Sequence, residues 1–167
     1  MEILAAHSEE FLLVIRGLFE AYATEIEVDL CFQDFAAELT GLPGHYAPPR
    51  GRLFLARRSA VPAGCVALRP FGNEACEMKR LYVCPACRGL GIGRKLATAA
   101  IEAARVIGYP RMRLDTLGTM QAALALYRGL GFQEIPAYRH NPVPGAVFME
   151  LDLAQPRPAG PLSPPPT

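Results

Sequence analysis

The sequence predicts an α+β domain built on a mixed, mostly antiparallel sheet. Three observations carry this. Short β-prone runs at residues 53–57, 64–69 and 76–83 follow one another, separated by Pro62, Pro70 and Gly72-Asn73. A helix-spaced segment then occupies residues 92–107, and another β-prone run, 111–116, lies beyond it. Turn-linked runs pair antiparallel, whereas a strand regained through a helix requires a parallel crossover.

Taken in chain order, Phe11, Ile15, Leu18 and Tyr22 recur at helical spacing with Leu12 and Phe19 beside them, which predicts a helix over about residues 8–23. Ser8, followed by Glu9 and Glu10, suits its start. A shorter helix is predicted near 32–39, stopped by Gly41 and Pro43, and the Gly- and Pro-rich stretch 41–51 reads as a loop. After the three strands, Ile92, Leu96, Ala99, Ala100, Ala103 and Ile107 mark a helix with many small residues on its buried side, ended by Gly108 and Pro110. Residues 111–116 alternate as a strand, 122–130 are helical, Gly131-Phe132 opens another strand, and 146–153 closes the sheet. Residues 154–167 are Pro-rich with little apolar bulk, so one domain over 1–153 and a disordered tail are expected.

Composition narrows the function. A formal charge of +1 with scattered Lys and Arg provides no footprint for nucleic acid. The apolar run 11–23 is interrupted by Arg16 and Glu20 and is shorter than the roughly 20 residues of a membrane span, and the N-terminus lacks a basic signal-peptide region. No membrane partner and a soluble cytoplasmic protein are the expectation. Five cysteines are an odd number for a disulfide framework. Cys84-Pro85-Ala86-Cys87 has the spacing of a redox motif or of half a zinc site, but no second Cys/His pair completes a zinc site, so no metal is expected and two small residues in a turn are the favoured reading. Its place before a helix is one that can lower a thiol pKa.

The chemistry-bearing segment is Arg88-Gly89-Leu90-Gly91-Ile92-Gly93, which joins a strand to a helix. Glycines let successive N–H groups point into one concavity, and a helix N-terminus adds partial positive charge. A diphosphate is the natural occupant, with Arg88, Arg94 and Lys95 as further cationic contacts. The turn by itself also suits a strand-to-helix connection with no ligand. Arg94 stands where a dinucleotide-binding fingerprint has its last Gly, and G-K-[ST] is missing, so neither the Rossmann nor the P-loop pattern is met.

At these residues the chain resembles the GNAT superfamily of acyl-CoA N-acyltransferases. Arg88, Gly91 and Gly93 match the R/Q-x-x-G-x-G/A signature, and Leu126-Tyr127-Arg128-Gly129-Leu130-Gly131-Phe132 matches a second one, L-Y followed by G-F. The resemblance covers roughly residues 50–153 and implies a three-layer α/β/α arrangement with helices on both faces of the sheet. It implies acetyl-CoA as cosubstrate, its pyrophosphate on residues 88–95 and its pantetheine arm against the backbone of Leu81, Tyr82 and Val83. It implies Tyr127 as the acid beside the sulfur. The chain departs at Met120-Gln121, where many members carry an Asn that contacts the arm.

Acetyl transfer needs an acceptor nitrogen without its extra proton and a proton for the departing thiolate. An alkylammonium of pKa about 10.4 is protonated at neutral pH, so a base or water relay is expected. Glu77 is the candidate base. It shares a strand face with Lys79, Leu81 and Val83 and lies about 20 Å from the strand's end at Val83, comparable with the reach of a pantetheine arm. Pairing of Glu77 with Lys79 or Arg80 is the structural alternative. Tyr127, with an ordinary pKa near 10, can protonate a thiolate, and it also suits a core aromatic beside Leu124 and Leu130. Acceptor recognition is expected from the first two helices and from Tyr138-Arg139-His140-Asn141, where Arg139 can hold a carboxylate. The functional expectation is acetyl transfer to a primary amine of a small molecule or peptide by direct attack in a ternary complex. A protein-lysine acetyltransferase and a catalytically silent acyl-CoA-binding module are the rivals, and a homodimer is compatible with either.

Overall fold

A computed structural model describes residues 1–31 and 34–155. The first residues of the expected second helix and the Pro-rich tail from 156 onward lie outside the described residues.

The chain runs β1 (Glu2–Ala5), α1 (Glu9–Ile26), α2 (Phe35–Gly41), β2 (Arg52–Arg58), β3 (Val61–Phe71), β4 (Ala75–Val83), α3 (Ile92–Ile107), β5 (Arg111–Leu117), α4 (Gln121–Gly129), β6 (Gln133–Ile135) and β7 (Ala146–Asp152). The seven strands form one sheet in the order β1-β2-β3-β4-β5-β7-β6. Of its neighbour pairs only β4 and β5 run parallel, and α3 is the crossover that joins them. The mixed, mostly antiparallel sheet expected from the sequence is therefore observed.

Local chemistry explains most boundaries. Ser8 caps α1 by accepting a hydrogen bond from the Phe11 N–H at 3.4 Å, and Glu9 and Glu10 lie favourably against the helix N-terminus. The helix continues to Ile26, a turn beyond its expected end, because Glu27 adopts a left-handed φ of 52° only there. β1 was not expected. Ile3 and Leu4 are half-buried in a four-residue edge strand, too short to show an alternating pattern.

Two apolar clusters lie on opposite faces of the sheet. On one, Ile15, Leu18 and Phe19 of α1 pack on Leu53, Leu55, Cys65, Ala67 and Tyr82. On the other, Ile92, Leu96, Ala97, Ala100, Ile101 and Ala104 of α3, with Leu124 and Tyr127 of α4, pack on Val66, Leu68, Cys76, Met78, Met112 and Leu114. The small residues of α3 let the helix lie close to the strands.

Candidate active site

The parallel pair is short. β4 and β5 register only as Ala75↔Arg111, Cys76↔Met112 and Glu77↔Arg113, although β4 continues to Val83 and β5 to Leu117. Beyond Glu77 the two strands separate, β4 staying with β3 and β5 with β7. The fork opens a cavity of about 630 Å³, walled by residues 78–83 of β4, 114–117 of β5, the start of α3 and Tyr127 of α4.

A bulge sets which side chains face which way. Arg80 has a positive φ of 56°, and the β3–β4 register shifts between Cys65↔Tyr82 and Ala67↔Lys79. The extra residue breaks the two-residue alternation. Leu81 and Val83 consequently join Cys76 and Met78 on the α3 side, whereas Tyr82 packs with α1. The expectation that Glu77 shares a face with Leu81 and Val83 is therefore corrected.

The phosphate-type turn is open. After a 3-10 turn at Pro85–Cys87, Gly89 and Gly91 take φ values of 78° and 74°, and Gly91 caps α3 without any side-chain hydrogen bond to the first N–H groups. Arg88, Gly89, Gly91, Ile92, Gly93 and Arg94 line the cavity. Leu90 and Lys95 are exposed and stand outside its wall. Arg88 donates to the Val83 carbonyl at 3.0 Å and pairs with Glu25 at the end of α1. A Cβ on Gly93 would sit 3.6 Å from Leu126 and Val83, ordinary contact distance. Cys84 and Cys87 are free thiols, and no group of metal-ligating side chains occurs among the described residues. Burial, with Cys87 beside it, pushes the Cys84 thiol up, opposite to the lowering its position before a helix suggested.

Glu77 is fully buried and is not part of the cavity wall. Its oxygens accept from Arg69 at 2.9 Å, from the Tyr138 hydroxyl at 2.7 Å and from Arg139 at 3.2 Å. Burial alone would raise its pKa, but Lys79, Arg69 and Arg139 outweigh that and hold the carboxyl below its ordinary value. Such a carboxylate is a weak base held away from the cavity. Because its folded value lies below the unfolded one, its stabilisation is present above the unfolded pKa and is lost as pH falls through the folded one. Glu77→Gln is expected to cost about 3–5 kcal/mol at pH 7, because buried cations lose their counter-charge, and to converge with the parent in acid. Urea unfolding across pH checks this, and equal midpoints at neutral pH would refute it.

Tyr127 lines the cavity, and its ring packs edge-on against Phe132 at 5.7 Å. Burial pushes its phenol well up, so it remains a proton donor at any working pH. In the connection between β6 and β7, Tyr138 and Arg139 fold inward onto Glu77, so Arg139 is already committed, while His140 is exposed. Asn141 donates to Asp115 at 2.9 Å and lines the cavity. Lys79 and Asp115, with Nζ and Oδ1 3.9 Å apart, are cavity residues that the sequence reading did not place there. The alternating polar positions of β5 were the available signal for Asp115. Met120 and Gln121 also line the cavity, and Thr116 Oγ1 donates to Met120 Sδ at 3.7 Å.

The profile of the Acetyltransferase (GNAT) family matches residues 14–132. The chain belongs to this GNAT family. An uncharacterised N-acetyltransferase of Schizosaccharomyces pombe is 41% identical over 140 residues, covering 83% of this chain and 86% of that protein. A Klebsiella pneumoniae structure described as an acyl-CoA N-acyltransferase superposes with a TM-score of 0.73 and 28% identity, over 91% of this chain and 97% of the other. A GNAT acetyltransferase of Staphylococcus aureus, at 19% identity and a TM-score of 0.76 over 91% of this chain and 98% of the other, shares the fold. The GNAT chain is accordingly an acetyl-CoA-dependent acyltransferase. No helix among the described residues is long and apolar enough to cross a membrane.

Proposed function

We propose that this GNAT enzyme transfers an acetyl group from acetyl-CoA to a primary amine of a small molecule or peptide by direct attack in a ternary complex. The observation that supports it best is the fork itself: a cavity that joins an open helix N-terminus, a bare strand edge and a buried phenol in one space.

In this reading the CoA pyrophosphate lies on the N–H groups of residues 89–93 with Arg88 and Arg94 beside it. The pantetheine amides pair with the backbone of Leu81, Tyr82 and Val83, whose β5-facing side has no strand partner. The thioester then reaches the bottom of the fork, where Tyr127 protonates the leaving thiolate. The acceptor enters from the opposite wall, where Tyr22, Val28, Leu30, Asn141 and Val143 line the cavity. Glu77 is a positioning residue that fixes Arg139 and Tyr138 against the sheet.

Following free thiol while protein, acetyl-CoA and a panel of primary amines are mixed tests the proposal. Thiol release that depends on one class of amine is the expected result. Tight acetyl-CoA binding without turnover on any amine, or on lysine-bearing proteins, would favour a silent binding module instead. No acyl-enzyme is expected, because the Cys84 thiol is pushed up by burial and points at the Pro62 carbonyl at 3.8 Å. Intact-mass spectrometry after acetyl-CoA alone should show no added acetyl group, and an acetyl-cysteine that passes its acetyl to an amine would overturn the direct route.

A further inference from the structure

Lys79 sits where β4 and β5 have just parted, with a side chain only 3% exposed and a place in the cavity wall. Among the described residues, Glu77 and Arg80 of β4, Asp115 of β5 and Arg139 of the β6–β7 connection act on it electrostatically, while Arg69 of β3 and Tyr138 stand behind Glu77. Arg80 is matched by Glu38, whose carboxylate it holds at 2.8 Å. Glu77 is matched by Arg69 and Arg139, and Asp115 is held by Arg139 at 3.5 Å as well as by Lys79. Among Arg69, Lys79, Arg139, Glu77 and Asp115 the cations exceed the carboxylates by one when Lys79 is charged. Guanidinium groups do not give up their proton in proteins, so Lys79 is the member of this set that can discharge.

We propose that Lys79 is the catalytic base that takes the proton from the acceptor ammonium. The inference rests on the acetyl-transfer reading above. Burial brings the Lys79 ammonium down to about 7, with Arg80 and Arg139 adding to the effect and Glu77 and Asp115 opposing it. A substantial neutral fraction therefore exists near pH 7, where an ordinary lysine of pKa about 10.4 has almost none. The Lys79 Nζ lone pair accepts one proton from the alkylammonium, leaving a neutral amine and a charged Lys79. The amine nitrogen bonds to the thioester carbonyl carbon, the C–S bond breaks, and the thiolate takes the Tyr127 proton. The second proton lost by the nitrogen restores the phenol, and Lys79 releases its own to solvent.

The test compares wild-type protein with Lys79→Arg and Lys79→Met, using acetyl-CoA and the primary alkylamine that turns over fastest in the panel. For wild type, kcat/KM should rise with a midpoint near pH 7. Lys79→Arg keeps the charge but cannot accept a proton, so at neutral pH it should lose about 10²–10⁴-fold, with its rate rising only towards the amine's own pKa. Acetyl-CoA affinity should stay unchanged. In the full wild-type chain, NMR of ¹³Cε-labelled lysine should show Lys79 titrating near 7. A Lys79→Arg variant with the wild-type pH profile would overturn the proposal. So would a Lys79 signal that titrates with ordinary lysines, or stoichiometric acetylation of Lys79, which would make it an acceptor. If wild type and variants bind acetyl-CoA but are all silent with every amine, the transfer reading itself fails and takes the base with it.

Discussion

Gly91→Val is expected to abolish measurable acetyl-CoA binding while leaving the protein folded. Gly91 holds a φ of 74° at the cap of α3, and an L-residue in that region costs roughly 1–2 kcal/mol, more when β-branched. A Cβ built there meets no protein atom within 4 Å, so the substitution does not jam the interior. The strain is relieved by the turn leaving its left-handed conformation, which swings the first N–H groups of α3 off a common target. Hydrogen bonds to a charged group are worth about 1.5–3 kcal/mol each, so losing even two of them raises Kd by about 10²-fold or more. Calorimetric titration with acetyl-CoA, beside a thermal melt, checks this. A folded variant with parental affinity would show that the pyrophosphate binds elsewhere.

Tyr127→Phe is expected to lower kcat by about 10²–10⁴-fold, the range of a positioned general acid, with acetyl-CoA affinity unchanged. The Phe ring can keep the edge-on contact with Phe132, and the substitution removes only the hydroxyl from the cavity wall. Burial keeps the phenol protonated, so its loss removes a donor rather than altering a titration within the working range. The Tyr127→Phe deficit should therefore persist across pH, whereas the Lys79→Arg deficit should shrink as pH rises. Steady-state kinetics over pH separate the two, and a Phe variant with parental kcat would remove Tyr127 from the chemistry.

The helix boundaries of α3 were legible in the sequence because Gly91 and Gly108 bracket a strongly periodic run. The Gly-rich strand-to-helix turn was legible for the same reason, since glycine spacing is a local signal. What escaped was non-local. A positive φ at Arg80 has no compositional marker, yet that one residue changes which faces Glu77 and Leu81 share. Tyr138 and Arg139 lie 61 and 62 residues from Glu77 along the chain, and only the folded sheet shows that they enclose it. Asp115 and Lys79 were each visible as polar strand residues. Their shared cavity depends on where the strands stop pairing, which no local pattern encodes.

That stopping point also bears on how the molecule holds together. β1–β4 form one ribbon and β5–β7 another, and their ladder has only three registered pairs, reinforced by α3 and α4, which share one apolar cluster with residues of both ribbons. The protein thus has a seam along its middle, and a ligand lying in it acts as a rivet between two plates. Acetyl-CoA should consequently raise the melting temperature in step with RT ln(1 + [L]/Kd). It should also slow amide exchange most at Leu81, Tyr82 and Val83, on the open side of the seam. In the proposed binding mode the cosubstrate substitutes for the missing rungs of the sheet as well as supplying the acetyl group.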